Sequence, residues 1–321
     1  MIGVKMKVSI VIPVFNEYQS LHEFHQSLLD VVVGFQQDWE IIYVDDGSID
    51  ASYQIVEEFA REDPDHITAI KLRRNFGQTA AIAAGIDHSD GEIIVLLDAD
   101  MQNDPQDIPL LIAKLDDGFD VVSGWRNNRE DSFITKTMPS KVANRLISWV
   151  TGVKLHDYGC TLKAYRREVI TGFRLYGEMH RFIPAYAGYV GARITEVPVK
   201  HHPRKYGKTK YGLERTIKVI LDLFTVKFLI SYSHKPLYLF GGLGLALFSF
   251  GCLILLYLLI RRLYVGISPF SSPLFPTSIM LALMGFQSLL MGLIAELLAR
   301  TYHEAQGKTT YTIAEKANSS K

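Results

Sequence analysis

Residues 237–260 contain no charged side chain, and that run restricts the possible architectures more than any other feature of the chain. Wound as a helix at ~1.5 Å per residue it is roughly 36 Å long, enough to cross a hydrocarbon core ~30 Å thick. A second apolar run, 279–295, is interrupted only by Gln287 and Ser288, and Leu297 and Leu298 extend it past Glu296. One such run is equally a buried core helix. Two in tandem, separated by the Pro- and Ser-bearing stretch 266–278, predict a transmembrane hairpin with spans near 237–260 and 277–298.

A hairpin returns both of its flanks to one side. Residues 1–7 run straight into a strand-like segment with no apolar leader, so the large domain is expected on the cytoplasmic face of a cell membrane. Lys218, Lys227, Lys235, Arg300 and Lys308 fit a positive-inside bias. Arg261 and Arg262 run against it and are expected to snorkel to headgroups on the far side. The averages conceal this division. A composition of 48% hydrophobic and 21% charged residues with zero net charge describes an ordinary soluble protein, yet nearly all the charge lies in 1–235. The two cysteines, Cys160 and Cys252, fall one in each part and form no metal motif.

Residues 8–14 (VSIVIPV) are a continuous apolar run rich in β-branched residues, which predicts a strand buried on both faces. Further strands are predicted at 40–44, 67–72, 92–97, 120–123 and 193–199. Helices are predicted between them at 20–35, 51–61, 78–87 and 107–117. Ser20 with Glu23 reads as a capping pair for the first, and Ser48 or Asp50 as the cap of the second. This alternation predicts an α/β fold with a doubly wound, mostly parallel sheet. Later, 135–150 reads as an amphipathic helix carrying Lys136, Lys141 and Arg145, and 201–212 as a basic loop. In 213–230 Glu214, Lys218, Asp222 and Thr225 share one helical face, so this helix is expected to lie in the membrane interface. The expected division is a large domain over 1–212, an interfacial helix over 213–235, the hairpin over 236–300, and a polar, loosely ordered cytoplasmic tail over 301–321.

In an open α/β sheet, ligands bind beyond the carboxyl ends of the strands. Three predicted strands end in polar residues: PVFNE at 13–17, DDGS at 45–48 and DADMQ at 98–102. Carboxylates there can bond ribose hydroxyls or a base edge. Two aspartates one residue apart can hold a hard divalent cation that bridges the phosphates of a nucleotide diphosphate. Each motif alone has a plainer reading: Asp-Asp-Gly-Ser is a good turn and cap, and Asp-Ala-Asp follows many strands. Neither G-x-x-x-x-G-K-[ST] nor G-x-G-x-x-G follows the first strand, which disfavours a P-loop NTPase and a nicotinamide dehydrogenase. Zero net charge and the apolar hairpin argue against nucleic acid as a partner.

Taken in order, VIPVFNE, VDDGS, RNFGQTAAI, LLDADMQNDP, HDYGCTLKAYRR and KYGKTKYGL resemble the motifs of the inverting family 2 glycosyltransferases of GT-A fold. The resemblance runs from about residue 8 to about residue 300. It is to members that glycosylate polyprenyl phosphates and carry a two-span C-terminal anchor, such as the bactoprenol glucosyltransferases. It implies that Pro13, Asn16, Glu17 and Asp46 contact the nucleoside. It also implies that Asp98, Asp100 and Gln102 surround a Mg²⁺ or Mn²⁺ ion and the donor diphosphate. Arg126, Lys136, Ser140, Arg204 and Lys210 match positions that face the acceptor phosphate. Asp157 matches the position assigned as catalytic base, so Asp157 and Asp100 are the catalytic candidates.

On this resemblance the chain moves one sugar, glucose from UDP-glucose first, to undecaprenyl phosphate with inversion. The absence of a Gln-x-x-Arg-Trp signature fits single transfer rather than processive synthesis. A UDP-aminoarabinose derivative, UDP-GlcNAc and GDP-mannose stay open as donors, as does a catalytically silent membrane scaffold. A homo-oligomer is expected, with Gly241, Gly242, Gly244, Gly251, Gly285 and Gly292 permitting close helix contact. The acceptor is a phosphate monoester with a second pKa of about 6, mostly dianionic at neutrality. A base has little proton to remove from it, so Asp157 is expected to orient the acceptor or the cations that hold it.

Overall fold

The computed structural model describes residues 6–127, 138–171, 179–203, 205, 236–304 and 313–317. Contacts divide the chain into two units, Met1–Leu223 with Thr309–Lys321, and Phe224–Lys308.

The first unit is built on one sheet of β1 (Lys7–Val14), β2 (Asp38–Asp45), β3 (Ile67–Leu72), β4 (Ile93–Leu96), β5 (Val121–Trp125), β6 (Lys163–Arg166), β7 (Ile194–Pro198) and β8 (Ile313–Ala317). Their order is β7-β5-β6-β4-β1-β2-β3-β8. β1 pairs in parallel with β2 and β4, β2 with β3, and β5 with β7. β6 is antiparallel to both neighbours, and β8 is antiparallel to β3. The sheet is thus mostly parallel and mixed at two places. Helices α1 (Leu21–Val32), α2 (Ser52–Glu62), α3 (Gln78–Asp87) and α4 (Ile108–Asp116) connect the first five strands. They are followed by α5 (Met138–Thr151), α6 (Arg167–Ile170) and α7 (Ile183–Tyr189).

The continuous apolar run of β1 is central, with Val8 to Ile12 all buried, as a strand covered on both faces requires. α1 buries Leu21, Phe24, Leu28 and Val32, spaced three or four apart so that one stripe faces the sheet. α3 seats closely because Gly85 has no side chain: a Cβ there would lie 2.2 Å from Val11 Cγ1. Ser20 does not act as the expected cap. Its Oγ donates instead to the Glu17 carbonyl at 3.0 Å and the Ala99 carbonyl at 3.1 Å, which stitches two strand-end loops together. At α2, Asp50 Oδ1 accepts from the Ser52 N–H at 3.0 Å.

Two strands were not legible in the sequence. β6 (KAYR) is short and flanked by charge, and the β8 segment (IAEKA) lies in the stretch expected to be loosely ordered. Residues 313–317 are instead an edge strand in register with β3, Ile70 opposite Lys316 and Lys71 opposite Glu315. The expected interfacial helix, 213–235, lies outside the described residues.

His25 gives this core a measurable pH response. Its ring stacks on Phe59 at 3.8 Å and its Nδ1 is 2.9 Å from the Tyr43 hydroxyl. Burial, reinforced by His22 and opposed by Asp63, holds its pKa down at about 4. The folded chain therefore keeps His25 neutral while the unfolded chain binds a proton below about pH 6.5. The stability it contributes is present above that pH and is lost as pH falls toward about 4. Tm is expected to fall between about pH 7.5 and 5, and to fall less steeply in His25→Phe. An equal slope in the variant would place the acid sensitivity elsewhere.

In the second unit α8 (Pro236–Val265) and α9 (Leu274–Glu304) pack side by side. Leu237–Val265 and Leu274–Ala295 are long and apolar enough to cross a membrane. Leu243, Phe250, Leu256, Leu283 and Phe286 are exposed on them, a surface suited to lipid rather than water. The glycines form the seam between these two helices. A Cβ on Gly244 would lie 2.7 Å from the Gly285 carbonyl, and one on Gly251 2.7 Å from the Ser278 carbonyl. A Cβ on Gly285 would lie 2.5 Å from the Phe248 nitrogen and one on Gly292 2.9 Å from Phe240 Cβ, whereas a Cβ on Gly242 would meet nothing within 4 Å. Ser288 Oγ donates across the seam to the Phe240 carbonyl at 2.9 Å. Gly244, Gly251, Gly285 and Gly292 thus permit close helix contact within the hairpin, as expected of small residues there.

Candidate active site

β1 lies between β2 and β4 in the sheet, which brings their carboxyl ends side by side. Past Pro13 and Val14 the chain turns sharply at Asn16, whose φ of 53° is in the left-handed region that Asn tolerates better than most residues. Asn16 Oδ1 accepts from the Ile49 N–H at 3.0 Å, and its own N–H donates to Ser48 Oγ at 2.9 Å. The Glu17 N–H donates to Ser52 Oγ at 2.9 Å. The PVFNE loop is therefore fastened to the DDGS turn. Gly47 sits at φ +70°, and a Cβ there would lie 2.4 Å from the Arg74 carbonyl carbon, so the RNFG segment lies flat on that turn.

Asp46 secures the same segment through both of its oxygens. Oδ1 accepts from the Phe76 N–H at 2.7 Å and Oδ2 from the Gly77 N–H at 2.9 Å. Burial pushes its pKa up to about 6, while those two donors pull it down. Asp45, at the start of the same DDGS turn, is fully buried. Its Oδ2 accepts from the Ser48 N–H at 3.1 Å, and its Oδ1 has no partner among the described residues.

After β4 the chain passes through Asp98, Ala99 and Asp100, then doubles back at Met101, φ 63°. Asp98 Oδ1 accepts from Gln78 Nε2 at 2.7 Å, and Asp100 Oδ1 from the Gln102 N–H at 3.1 Å. Burial first, and the Asp100 charge second, push Asp98 up to about 7 against the pull of Thr161, Lys163 and Arg126. Two crowded carboxylates of this kind are hard oxygen donors whose repulsion a divalent cation relieves. Among the described residues no group of three or more His, Cys, Asp or Glu side chains gathers. An ion held here would complete its shell with an amide oxygen, water or a diphosphate. The residues present fit Mg²⁺ or Mn²⁺.

Arg126 follows β5 and forms a fork with Asp157, Nε to Oδ2 at 2.6 Å and Nη2 to Oδ1 at 3.0 Å. The Gly159 N–H adds a third donor to Asp157 Oδ1 at 3.0 Å. Asp157 is buried, 4% exposed, and three converging donors orient its carboxylate. A Cβ on Gly159 would approach Arg126 Nη2 to 3.1 Å, so the fork needs the glycine. Ser140 lies in α5, described there by its backbone. Lys136, Arg204 and Lys210 lie outside the described residues. The sequence reading missed Gln78, although it stands just past the end of β3 as the other site residues stand past theirs. It also missed the Asn103 Nδ2 to Thr161 Oγ1 bond of 2.9 Å that joins the Asp100 loop to the Asp157 loop.

A doubly wound sheet with an antiparallel β6 beside β4, and a carboxylate pair past β4 facing the loops after β1 and β2, defines the GT-A class of glycosyltransferases. Glucosyl-3-phosphoglycerate synthase of Mycobacterium tuberculosis shares this fold. Its complex with Mn²⁺, UDP and phosphoglyceric acid superposes at a TM-score of 0.53 with 19% identity, covering 69% of this chain and 78% of that one. Its complex with Mn²⁺ and UDP-glucose gives 0.51 and 17%, covering 70% and 79%.

Residues 9–173 match the family described as glycosyl transferase family 2. The chain is 42% identical over 311 residues to dodecaprenyl-phosphate galacturonate synthase of Rhizobium johnstonii, covering 96% of this chain and 92% of the relative. It is 39% identical over 308 residues to undecaprenyl-phosphate 4-deoxy-4-formamido-L-arabinose transferase of Salmonella choleraesuis, with the same two shares. The chain belongs to glycosyl transferase family 2.

Proposed function

We propose that the chain transfers one sugar from a nucleotide-sugar donor to a polyprenyl phosphate at the cytoplasmic face of a cell membrane, inverting the anomeric carbon. The observation that carries this reading is similarity over 96% of the chain, the apolar hairpin included, to two enzymes named for polyprenyl-phosphate products or acceptors.

In this reading Pro13, Asn16 and Glu17 line the nucleoside pocket, and Asp46 shapes it by holding the 76–77 backbone. Asp98, Asp100 and Gln102 hold the divalent cation. When bound, that ion supplies Lewis-acid stabilisation of the departing diphosphate, so no protonated side chain is required there. The attacking oxygen belongs to an already anionic phosphate. Asp157, engaged by Arg126 and the Gly159 N–H, aims the guanidinium at that phosphate rather than removing a proton. Lys136, Ser140, Arg204 and Lys210 are proposed to share the acceptor phosphate. The hairpin is proposed to serve as the membrane anchor, in a homo-oligomeric assembly.

The donor is proposed to be galacto-configured. Galacturonate and L-arabinose both carry the C4 substituent axially, whereas glucose carries it equatorially, and glucose rests on the sequence resemblance alone. The test is transfer of radiolabelled sugar to undecaprenyl phosphate in detergent. The donors are UDP-galacturonate, a UDP-4-formamido-arabinose, UDP-glucose, UDP-GlcNAc and GDP-mannose, each with Mg²⁺, Mn²⁺ or chelator. A chelator-sensitive lipid product from one galacto-configured donor is expected. A product from UDP-glucose alone would replace the donor. No product from any of them, with the protein folded, would sink the enzymatic reading and bring a scaffold forward.

A further inference from the structure

Lys163 is an ammonium placed inside the sheet. β6 carries it between Leu96 of β4 and Ser123 of β5, and the residue is 3% exposed. Burying an ammonium is costly unless something is gained by it. Its hydrogen-bond acceptors among the described residues are two main-chain carbonyls, those of Tyr158, at 3.1 Å, and Cys160. Both belong to the turn that runs from Asp157 to Thr161.

Drawing two carbonyls of one turn inward has a directional result. Within a peptide plane the C=O and the following N–H point opposite ways, so the Gly159 and Thr161 N–H groups are turned away from the ammonium. The Gly159 N–H reaches Asp157 Oδ1 at 3.0 Å, on the carboxylate that forks with Arg126. Thr161 in turn receives Asn103 Nδ2 at 2.9 Å, from the loop just past the Asp98–Asp100 pair. Lys163 therefore fastens the inner side of a turn whose outer side meets both halves of the site.

We propose that Lys163 is a positioning residue for sugar transfer, holding the 157–161 turn so that the Arg126–Asp157 fork and the Asp100 loop keep their mutual geometry. This rests on the functional reading above. Its hydrogen bonds run to the turn, and it acts through the turn.

The experiment compares Lys163→Met and Lys163→Arg with the parent chain in the full-length, detergent-solubilised protein. In Lys163→Met kcat is expected to fall by about a hundredfold, with affinity for UDP measured by calorimetry held within about threefold. Lys163→Arg, which keeps the charge, should recover at least about tenfold of the loss. A structure of Lys163→Met should show the Arg126–Asp157 fork opened, and that readout stands even if the parent proves inactive toward lipid. Turnover within about threefold of the parent, or a fork left closed in the variant, would overturn the proposal. So would equal losses of UDP affinity, kcat and thermal stability, which would mark Lys163 as an ordinary core residue.

Discussion

Asp100→Asn is expected to lower sugar transfer at least about a thousandfold, equivalent to about 4 kcal/mol of transition-state stabilisation. The substitution is nearly isosteric, and the Gln102 N–H that bonds Asp100 Oδ1 at 3.1 Å still finds an amide oxygen. What disappears is one of the two charges that make this corner attractive to a divalent cation. The same loss relieves Asp98, whose proton is held partly by the Asp100 charge. The metal-free protein is therefore expected to melt no lower, and slightly higher, than the parent while its activity collapses. Initial rates at saturating donor, calorimetry with Mn²⁺ and UDP, and thermal unfolding in chelator measure the three quantities. A variant that keeps more than about a tenth of the parent rate would remove Asp100 from the proposed metal site.

Asp157→Asn is expected to cost about a hundredfold to a thousandfold in kcat, of the size seen when an orienting charge is removed from an active site. Its pH–rate profile should keep the parent's shape. A general base would instead give the parent an acid limb that vanishes in the variant. The distinction follows from the fork: three donors already occupy the carboxylate, and an asparagine amide cannot accept from both guanidinium nitrogens and the Gly159 N–H. Arg126→Gln is expected to produce a similar loss. Because the two residues act as one unit, the double variant should be hardly worse than either single one. Additive losses would show that they work separately.

Much of this architecture was legible because the chemistry sits where strands stop. The apolar runs 8–14, 40–44 and 92–97 mark three strands, and the polar residues that end them mark the candidate site. The legible part ended where the signal is carried by the backbone. β8 is held by ladder hydrogen bonds to β3, and those leave no hydrophobic pattern in IAEKA. Ser20 had the composition of a cap, but tertiary contact with the Glu17 and Ala99 carbonyls outweighed the local choice. Asp46 had the position of a nucleoside ligand, yet its oxygens meet the Phe76 and Gly77 N–H groups, a bond between segments thirty residues apart that no local motif announces. The burial of Lys163 has no local signal either, because it comes from the pairing of β6 with β4 and β5.

The eighth strand also gives the chain a schedule. The hairpin lies in sequence between β7 and β8, so the ribosome delivers both apolar helices before the strand that completes the sheet. Until then β3 presents a row of unpaired N–H and C=O groups. The sheet is therefore complete only after the hairpin has been made, and a chain that stops short of residue 313 would leave the β3 edge open.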